Sequence, residues 1–246
     1  MDLPGKVALI TGARRIGADV ARELSKRGAD VAISYGRSKS DAEALVAELK
    51  ASGRRSAAFQ ADLTDPDACA AIVEKTATTF GRLDILIPMA SVYEATPVDK
   101  LDLAAWDRTI NVDLRSTFLC AIAAVPHMRQ QGGGRIITFS DWLPRSGRPR
   151  YQGWLPYYVA KGGVMALTEA LALELAADNI LVNAVAPGPI LAPPTTTADD
   201  HQKVAEATPL GRWGGGVEIA KAVLAFIDSD FITGETLRVD GGRHVK

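Results

Sequence analysis

The sequence lacks several features that mark whole classes of protein. No apolar run approaches the roughly 20 residues that a membrane-spanning helix needs. The first residues, MDLPGKVALITG, lack the basic and long apolar stretches of a secretory signal. The net charge of -1 gives no electrostatic reason to bind nucleic acid or an anionic membrane. These absences predict a cytoplasmic protein that acts on a small-molecule substrate, with neither a nucleic acid nor a membrane as partner.

Cysteine and histidine are scarce as well. The two cysteines, Cys69 and Cys120, lie in helix-like stretches and show no metal-ligand spacing. The three histidines, His127, His201 and His244, are scattered along the chain and form no ligand cluster. We therefore interpret the cysteines as packed thiols and expect no metal site.

What the chain does contain is a regular alternation of short apolar segments with longer amphipathic ones. The predicted strands are Val7–Ile10, Val31–Ser34, Ser56–Gln60, Ile85–Pro88, Arg135–Phe139, Leu181–Ala186 and Thr236–Val239. The predicted helices are Gly17–Arg27, Ser40–Ser52, Pro66–Phe80, Ala104–Gln130, Tyr157–Ala176 and Val217–Ile227. Near-continuous apolar strands between helices are typical of a parallel sheet covered on both faces. Since no repeat or linker divides the chain, residues 1–246 are predicted to form one doubly wound α/β domain.

One long segment, Pro189 to about Arg212, has little helix or strand signal. It carries four prolines and three consecutive threonines. Long irregular loops are uncommon inside compact domains unless they have a function. We therefore interpret residues 189–212 as a substrate lid.

A glycine-bearing turn follows the first strand and precedes the first helix. Such a turn lets backbone N–H groups and the helix dipole meet a pyrophosphate. About 20 residues further on, an NAD-binding fold usually places an acidic residue on the ribose, but the second strand here ends Ser-Tyr-Gly-Arg-Ser without one. This favours the 2′-phosphate of NADPH, bound by arginine and serine, unless these arginines are only solvated surface charges. The predicted cofactor contacts are Gly12, Arg14, Arg15, Ile16, Gly17, Tyr35, Arg37 and Ser38.

Tyr157 and Lys161 lie four residues apart at the start of a predicted helix, so their side chains share one helical face. A lysine ammonium near a tyrosine hydroxyl favours the phenolate and lowers the tyrosine pKa, which makes the tyrosine a usable acid near neutral pH. On spacing alone, a Tyr–Lys pair on a solvated helix face, which is common, is the better interpretation.

Taken together, these stretches resemble the short-chain dehydrogenase/reductase family over essentially the whole chain. The matching stretches are the TG…G turn, Ala61-Asp62-Leu63, Asp84-Ile85-Leu86, Asn111-Val112, Tyr157-x-x-x-Lys161, the VNAVAPG run at residues 182–188, and the TGE…VDGG ending at residues 233–242. The resemblance implies a Rossmann domain whose seven-stranded, mainly parallel sheet has the order 3-2-1-4-5-6-7, with helices on both faces. It also implies NADP(H) as cofactor and a homotetramer built on the two longest predicted helices.

The resemblance further implies roles for individual residues. Tyr157 would be the catalytic acid, Lys161 would bind the nicotinamide ribose and lower the tyrosine pKa, and Asn111 would hold a water in the proton relay. The other implied cofactor contacts are Asp62 and Leu63 near the adenine, Pro187 and Gly188 at the nicotinamide, and Ala90 and Ile190.

Three departures from the family pattern resemble the pteridine reductases. The glycine turn is one residue short, with Arg15 near the place of the middle glycine. Pro-Met-Ala-Ser replaces the usual Asn-Asn-Ala-Gly after the fourth strand, so the central sheet must be supported elsewhere, and an aromatic residue follows. At the end of the fifth strand an aspartate replaces the catalytic serine. The predicted substrate residues are Ser91, Tyr93, Asp141, Trp142 and Tyr157.

A fourth departure points elsewhere. The loop from Asp141 to Tyr157 is longer than usual for the family and contains Arg145, Arg148, Arg150, Tyr151 and Trp154. These side chains suit an anionic or aromatic substrate, although exposed loop arginines often serve only solvation.

Asp141 decides the chemistry, because an ionised carboxylate accepts hydrogen bonds and repels a developing oxyanion. It is either protonated through burial beside Trp142 and donates, or ionised and accepts from a substrate N–H while Tyr157 delivers the proton. The alternative is that neighbouring Ser140 does the work of the serine, but neighbours on a strand point to opposite faces.

The predicted function is NADPH-dependent hydride transfer to a C=N or C=O bond. A more specific form of this prediction is a pteridine-reductase-like activity. The alternatives are a carbonyl reductase of ketones or 3-oxoacyl groups and, in a different class, a cofactor-binding module without turnover.

Overall fold

The computed structural model describes residues 1–12, 14–146 and 152–245, and its strands form one seven-stranded sheet of order β3-β2-β1-β4-β5-β6-β7. The strands are β1 Val7–Thr11, β2 Asp30–Tyr35, β3 Ser56–Gln60, β4 Ile85–Pro88, β5 Gly134–Phe139, β6 Ile180–Pro187 and β7 Thr236–Val239. All neighbouring strands pair in parallel. The predicted fold and strand order are confirmed. The sequence revealed them because buried β-branched runs alternate with helices along the chain.

Helices cover both faces of this sheet. They are α1 Ile16–Lys26, α2 Lys39–Ala51, α3 Pro66–Phe80, α4 Leu103–Ile110, α5 Ser116–Gln130, α6 Leu155–Leu175, α7 Ala198–Glu206 and α8 Gly216–Asp228. The apolar sides of α1, α2 and α8 pack against one face of the strands. Those of α3, α5 and α6 pack against the other. The two cores leave the carboxyl edge of the sheet open for loops.

The long helix predicted over Ala104–Gln130 is interrupted. Helix α4 ends at Ile110, a π-helical turn spans Asn111–Arg115, and α5 begins at Ser116. A π turn inserts one extra residue per turn without leaving helical backbone angles, so hydrophobic periodicity gives no sign of it. Its consequence is the complete burial of Asp113, which is 1% exposed.

The segment 189–212, predicted to be irregular, contains helix α7. Thr197 begins this helix, and its hydroxyl accepts a hydrogen bond of 3.1 Å from the backbone N–H of Asp200. A threonine followed by acidic residues is a recognised start signal, which the neighbouring prolines obscured. The indole of Trp213 stacks on His201 of this helix, with ring centroids 5.3 Å apart.

The central sheet is supported without the family's two asparagines. The hydroxyl of Thr11, at the end of β1, accepts hydrogen bonds from the backbone N–H groups of Met89 and Ala90 at 3.1 and 3.2 Å. This side chain holds the loop after β4 against the glycine turn. It therefore supplies support that the absence of the family's two asparagines required.

Cys69 of α3 and Cys120 of α5 are free and fully buried between their helices, as predicted. Within the described residues, no helix is long and apolar enough to cross a membrane. The same residues contain no group of three or more His, Cys, Asp or Glu side chains placed to hold a metal ion.

Candidate active site

Two cavities meet at the carboxyl edge of the sheet. Parallel strands all end at this edge, so the loops after β1, β4, β5 and β6 converge there. One cavity follows the glycine turn and the end of β6, and the other opens between the loops after β4 and β5. Three side chains line both cavities: Asp141, Tyr157 and Lys161.

Tyr157 and Asp141 are joined directly. The tyrosine hydroxyl lies 2.9 Å from Oδ2 of Asp141, and Oδ1 of the same carboxyl group accepts a 2.9 Å hydrogen bond from the backbone N–H of Leu143. Ser140 is buried and its hydroxyl donates to the backbone carbonyl of Lys161 at 2.8 Å. The geometry therefore places Asp141, and not Ser140, against the tyrosine.

Lys161 enters the site from α6 and is almost fully buried. Its ammonium donates to the backbone carbonyl of Phe139 at 3.0 Å and lies 3.2 Å from Oδ1 of Asp113. Asp113 also accepts hydrogen bonds from the hydroxyl of Ser91 and, at 2.7 Å, from the backbone N–H of Val92. The π-helical turn thus delivers a buried carboxylate to the lysine.

Asn111 begins the π-helical turn that carries Asp113, and its role of holding a water in the proton relay stays a prediction. No hydrogen bond joins its side chain to Asp141, Tyr157 or Lys161 among the described residues. Asp113, two residues further along the same turn, lies beside the lysine. No sequence signal singled out Asp113, because the stretch DRTINVDLRST also contains Asp107, Arg108 and Arg115.

Burial and two neighbouring carboxylates act on the tyrosine hydroxyl. Burial raises the pKa of Tyr157 well above its usual value, and the nearby carboxylates of Asp141 and Asp113 raise it further. The lowering of this pKa by Lys161 stays a prediction; the lysine ammonium pairs with Asp113 in this structure. Burial likewise raises the pKa of Asp141, against smaller opposing effects of the Leu143 N–H, Tyr157 and Lys161. Tyr157 is therefore fully protonated at neutral pH.

The cleft along the glycine turn has the form of a dinucleotide site. Helix α1 begins there, and no described side chain caps its first turn. At Gly12 the φ angle is 72°, and an added Cβ would lie 2.8 Å from Cα of Ala90. A Cβ on Gly188 would lie 2.4 Å from Cβ of Asp240. Bare backbone at both walls and an uncapped helix N-terminus suit a pyrophosphate and a flat ring.

Most of the predicted site residues line this cleft. They are Gly12, Arg14, Arg15, Ile16, Gly17, Ser91, Tyr93, Asp141, Trp142, Tyr157, Lys161, Pro187, Gly188 and Ile190. Trp142 is buried, and the guanidinium of Arg243 lies 5.7 Å from its ring. The substrate and cofactor predictions therefore converge on one place.

A smaller cavity of about 230 Å³ continues the cleft past the end of β2. Its walls include Gly12, Arg14, Ser34, Tyr35, Gly36, Ser38 and Ala90. Three predicted contacts are not part of this wall. Arg37 is exposed, Leu63 is buried in the core, and the exposed Asp62 accepts hydrogen bonds from the N–H and hydroxyl of Thr64, which lower its pKa.

Arg15 occupies a conformation that a glycine would adopt readily. Its φ is 50° and its ψ is -110°, outside the regions that L residues favour. Its guanidinium donates to the carbonyls of Leu191 at 3.0 Å and Ala192 at 2.7 Å. The shortened glycine turn is therefore tied to the start of the segment 189–212.

The second cavity, of about 900 Å³, is mainly apolar. Its lining includes Ala95, Pro97, Val98, Asp99, Leu143, Pro144, Trp154, Leu155 and Tyr158, with Tyr157 and Asp141 where it meets the cleft. The ring of Tyr93 packs on Trp154 at a centroid distance of 3.9 Å and meets Tyr157 edge-on at 5.1 Å. Sequence reasoning found the aromatic residues and missed residues 95–99 and 143–144, which belong to no motif.

The basic residues predicted near the substrate are only partly described. Arg148, Arg150 and Tyr151 lie outside the described residues. Arg145 forms an ion pair with Glu169 on α6 and does not line the cavity. The described part of the loop therefore contributes Trp154, and not a cation, to the cavity wall.

Comparison with known proteins agrees with this geometry. A family model described as enoyl-(acyl carrier protein) reductase matches residues 11–244. A short-chain dehydrogenase from Burkholderia cenocepacia, solved in complex with NADP, superposes with a TM-score of 0.91 at 36% identity and covers 99% of each chain. The chain belongs to the short-chain dehydrogenase/reductase family. It is therefore an oxidoreductase, and the resemblance seen in the sequence is confirmed.

Other members of this short-chain dehydrogenase/reductase family are equally similar. The 3-oxoacyl-(acyl-carrier-protein) reductase FabG of Staphylococcus aureus is 39% identical over 246 residues, with 98% of each chain covered. A blue fluorescent protein from a metagenomic library, solved in complex with NADPH, is 37% identical with a TM-score of 0.90, and 99% of each chain is covered. A specific likeness to pteridine reductases is not shown.

Proposed function

We propose that this short-chain dehydrogenase/reductase uses NADPH to reduce a C=O or C=N bond in a bulky, mainly apolar or aromatic compound. The observation that carries the proposal is the position of Tyr157. Its hydroxyl lies where the cofactor cleft meets the cavity of about 900 Å³. A group at this junction reaches both a nicotinamide in the cleft and a substrate in the cavity.

Several features support NADPH as the cofactor. The end of β2 carries no acidic residue, while Arg14 and Ser38 line the cavity where a ribose 2′-phosphate would lie. The relatives solved with NADP or NADPH cover 99% of this chain. When bound, NADPH supplies the hydride, and Lys161 would hold its nicotinamide ribose.

The chain itself supplies the proton. Tyr157 keeps its proton throughout the neutral range, because burial and the two carboxylates raise its pKa. An oxygen or nitrogen that has received a hydride on the adjacent carbon is a stronger base than a phenolate, so proton transfer from Tyr157 remains downhill. The apolar cavity wall excludes water from this step.

The identity of the reduced bond separates two candidate substrate classes. FabG-like relatives favour a carbonyl, including a 3-oxoacyl group. Asp141, in place of a serine and beside Tyr157, favours a nitrogen heterocycle such as a dihydropterin, with Tyr93 as an aromatic wall. Ser91, which belongs to the pteridine-reductase-like segment after β4, is engaged with Asp113 and does not support that class.

The test is oxidation of NADPH with a panel of compounds: a small ketone, a bulky aryl ketone, a 3-oxoacyl thioester, a cyclic imine and a dihydropterin. We expect the bulky aromatic compounds to react faster than the small ketone, and Tyr157→Phe to abolish the reaction. No oxidation above the rate without substrate, for every member of the panel, would contradict the proposal.

We also propose a homotetramer built through α5 and α6. Phe118 and Ile122 lie four residues apart on α5 and are 42% and 46% exposed, and Val159 on α6 is 41% exposed. Large apolar side chains grouped on the faces of two long helices are typical of subunit interfaces.

A further inference from the structure

We infer that Asp113 is a positioning residue of the active site: it cancels the charge of Lys161 and so leaves Asp141 protonated, with the proton on Oδ2. The protonation of Asp141 is a property of the protein alone. Its use in turnover rests on the proposed function.

The first step is the ion pair. Lys161 Nζ lies 3.2 Å from Oδ1 of Asp113, with side-chain exposures of 5% and 0%. Asp113 accepts two further hydrogen bonds, from the hydroxyl of Ser91 and the N–H of Val92. A carboxylate with a cation and two donors is stabilised in its charged form. Asp113 and Lys161 therefore form a buried pair without net charge.

The second step is the charge balance around Asp141. The other ionisable groups of the two cavities are Tyr93, Asp99, Tyr157 and Tyr158, with Arg14 and Arg15 at the glycine turn. Arg14 forms an ion pair with Asp41, and Arg15 donates to the carbonyls of Leu191 and Ala192. Arg243 of the C-terminal turn lies behind the indole of Trp142. Among the described residues, no lysine or arginine lies within ion-pair distance of Asp141. An ionised Asp141 would therefore add an uncompensated charge to a buried cluster, which is strongly unfavourable.

The third step locates the proton. Oδ1 of Asp141 accepts the backbone N–H of Leu143 at 2.9 Å, so this oxygen uses a lone pair. A protonated carboxyl group therefore carries its hydrogen on Oδ2, which lies 2.9 Å from the hydroxyl oxygen of Tyr157. The contact then holds two O–H groups, one on Tyr157 and one on Asp141. One of them donates to the oxygen of the other, and the remaining hydrogen is available to the substrate.

This arrangement has a chemical consequence. A neutral Asp141 donates a hydrogen bond to the substrate atom that receives the proton of Tyr157, as a serine hydroxyl would. Without Asp113, the free charge of Lys161 would favour the carboxylate of Asp141, which only accepts hydrogen bonds. Asp113 thus acts on the reaction through Lys161 and Asp141.

Infrared difference spectroscopy of the cofactor-free protein tests the protonation directly. The wild type minus Asp141→Asn spectrum at neutral pH should show the C=O stretch of a protonated carboxylic acid. The same difference taken in an Asp113→Asn background should lose it at neutral pH, because Lys161 is no longer compensated. In a protein that turns over, the alkaline limb of kcat in Asp113→Asn should move down by about one pH unit or more. The matched control is Asp84→Asn, which breaks another buried carboxylate pair, with Arg82, at the opposite edge of the sheet and should leave the band unchanged.

The double variant Asp113→Asn with Lys161→Gln removes both charges of the pair and keeps a polar side chain at each position. In this variant Asp141 should lose its proton at the same pH as in the wild type. The variant therefore tests the inference even if Asp113→Asn alone does not fold. The inference would be overturned if the acid band were absent from the wild type or retained in Asp113→Asn. It would also be overturned if Asp141 in the double variant lost its proton at a higher pH than in the wild type. Since the spectra need neither cofactor nor substrate, they are independent of the proposed function, whose own failure would appear only in the NADPH assay.

Discussion

The hydroxyl of Tyr157 lies 2.9 Å from Oδ2 of Asp141, across the junction of the cofactor cleft and the substrate cavity. This contact joins the proposed proton donor to the residue that stands in the place of the family's serine. Both groups have raised pKa values, chiefly because they are buried. Burial at this contact therefore favours the protonated form of both groups.

Replacement of Tyr157 by phenylalanine removes the proton donor and keeps the ring contact with Tyr93. We expect kcat for NADPH oxidation to fall by about 100-fold or more. Binding of NADPH, followed by its fluorescence, should stay at the wild-type level, which serves as the folding control. A variant with wild-type kcat would exclude Tyr157 as the acid.

The raised pKa of Asp141 makes stability depend on pH in a defined direction. Because the folded state binds its proton more tightly than the unfolded chain, stability is fully present below the unfolded pKa, about 3.9, and is lost as pH rises through the folded pKa. Asp141→Asn does not titrate, so its melting temperature relative to the wild type should rise with pH over that window.

The control for this prediction has the opposite sign. Hydrogen bonds from Thr64 lower the pKa of Asp62, so its contribution is present above the unfolded pKa and is lost as pH falls. Asp62→Asn should therefore be less stable than the wild type at neutral pH and approach it in acid. The measurement is the melting temperature of both variants and the wild type across the pH range, without cofactor. A difference between Asp141→Asn and the wild type that does not change with pH would contradict the raised pKa of Asp141.

Cofactor preference should depend on Arg14 more than on Arg37. Arg14 lines both the cleft and the smaller cavity, whereas Arg37 is exposed outside them. A charge-assisted hydrogen bond to the 2′-phosphate predicts that Arg14→Ala weakens NADPH binding about 10-fold and leaves NADH binding unchanged. Titration of both nucleotides into Arg14→Ala and Arg37→Ala is the measurement. A larger loss of NADPH affinity in Arg37→Ala would show that the sequence-based choice of Arg37 was correct.

Arg15 combines an unfavourable backbone conformation with two useful hydrogen bonds. Arg15→Ala and Arg15→Gly both delete the bonds to Leu191 and Ala192, but only glycine relieves the φ of 50°. The glycine variant should therefore be more stable than the alanine variant by about 1 kcal/mol. Urea unfolding of the two variants measures this difference directly, and equal stabilities would show that the turn is not strained.

The sequence predicted the sheet well because each strand is a short apolar run buried on both faces, such as Val7–Thr11 and Ile85–Pro88. It failed where the backbone changes without a change of pattern. The π turn at Asn111–Arg115 keeps helical angles, so periodicity gave no sign that Asp113 is buried beside Lys161. Likewise, the spacing of Tyr157 and Lys161 predicted a shared face correctly, but the effect of the lysine depended on a partner that only the fold supplies.

The proposed assembly can be tested on α5. Phe118 and Ile122 expose apolar surface on one face of this helix, where a lysine would be desolvated and repelled in a packed subunit interface. We expect Ile122→Lys to reduce the mass measured by light scattering below that of a tetramer while the secondary structure is kept. Ala47→Lys adds the same charge on the exposed face of α2, away from the apolar patch, and should leave the mass unchanged. An Ile122→Lys variant with the full tetramer mass would show that this face of α5 is not buried between subunits.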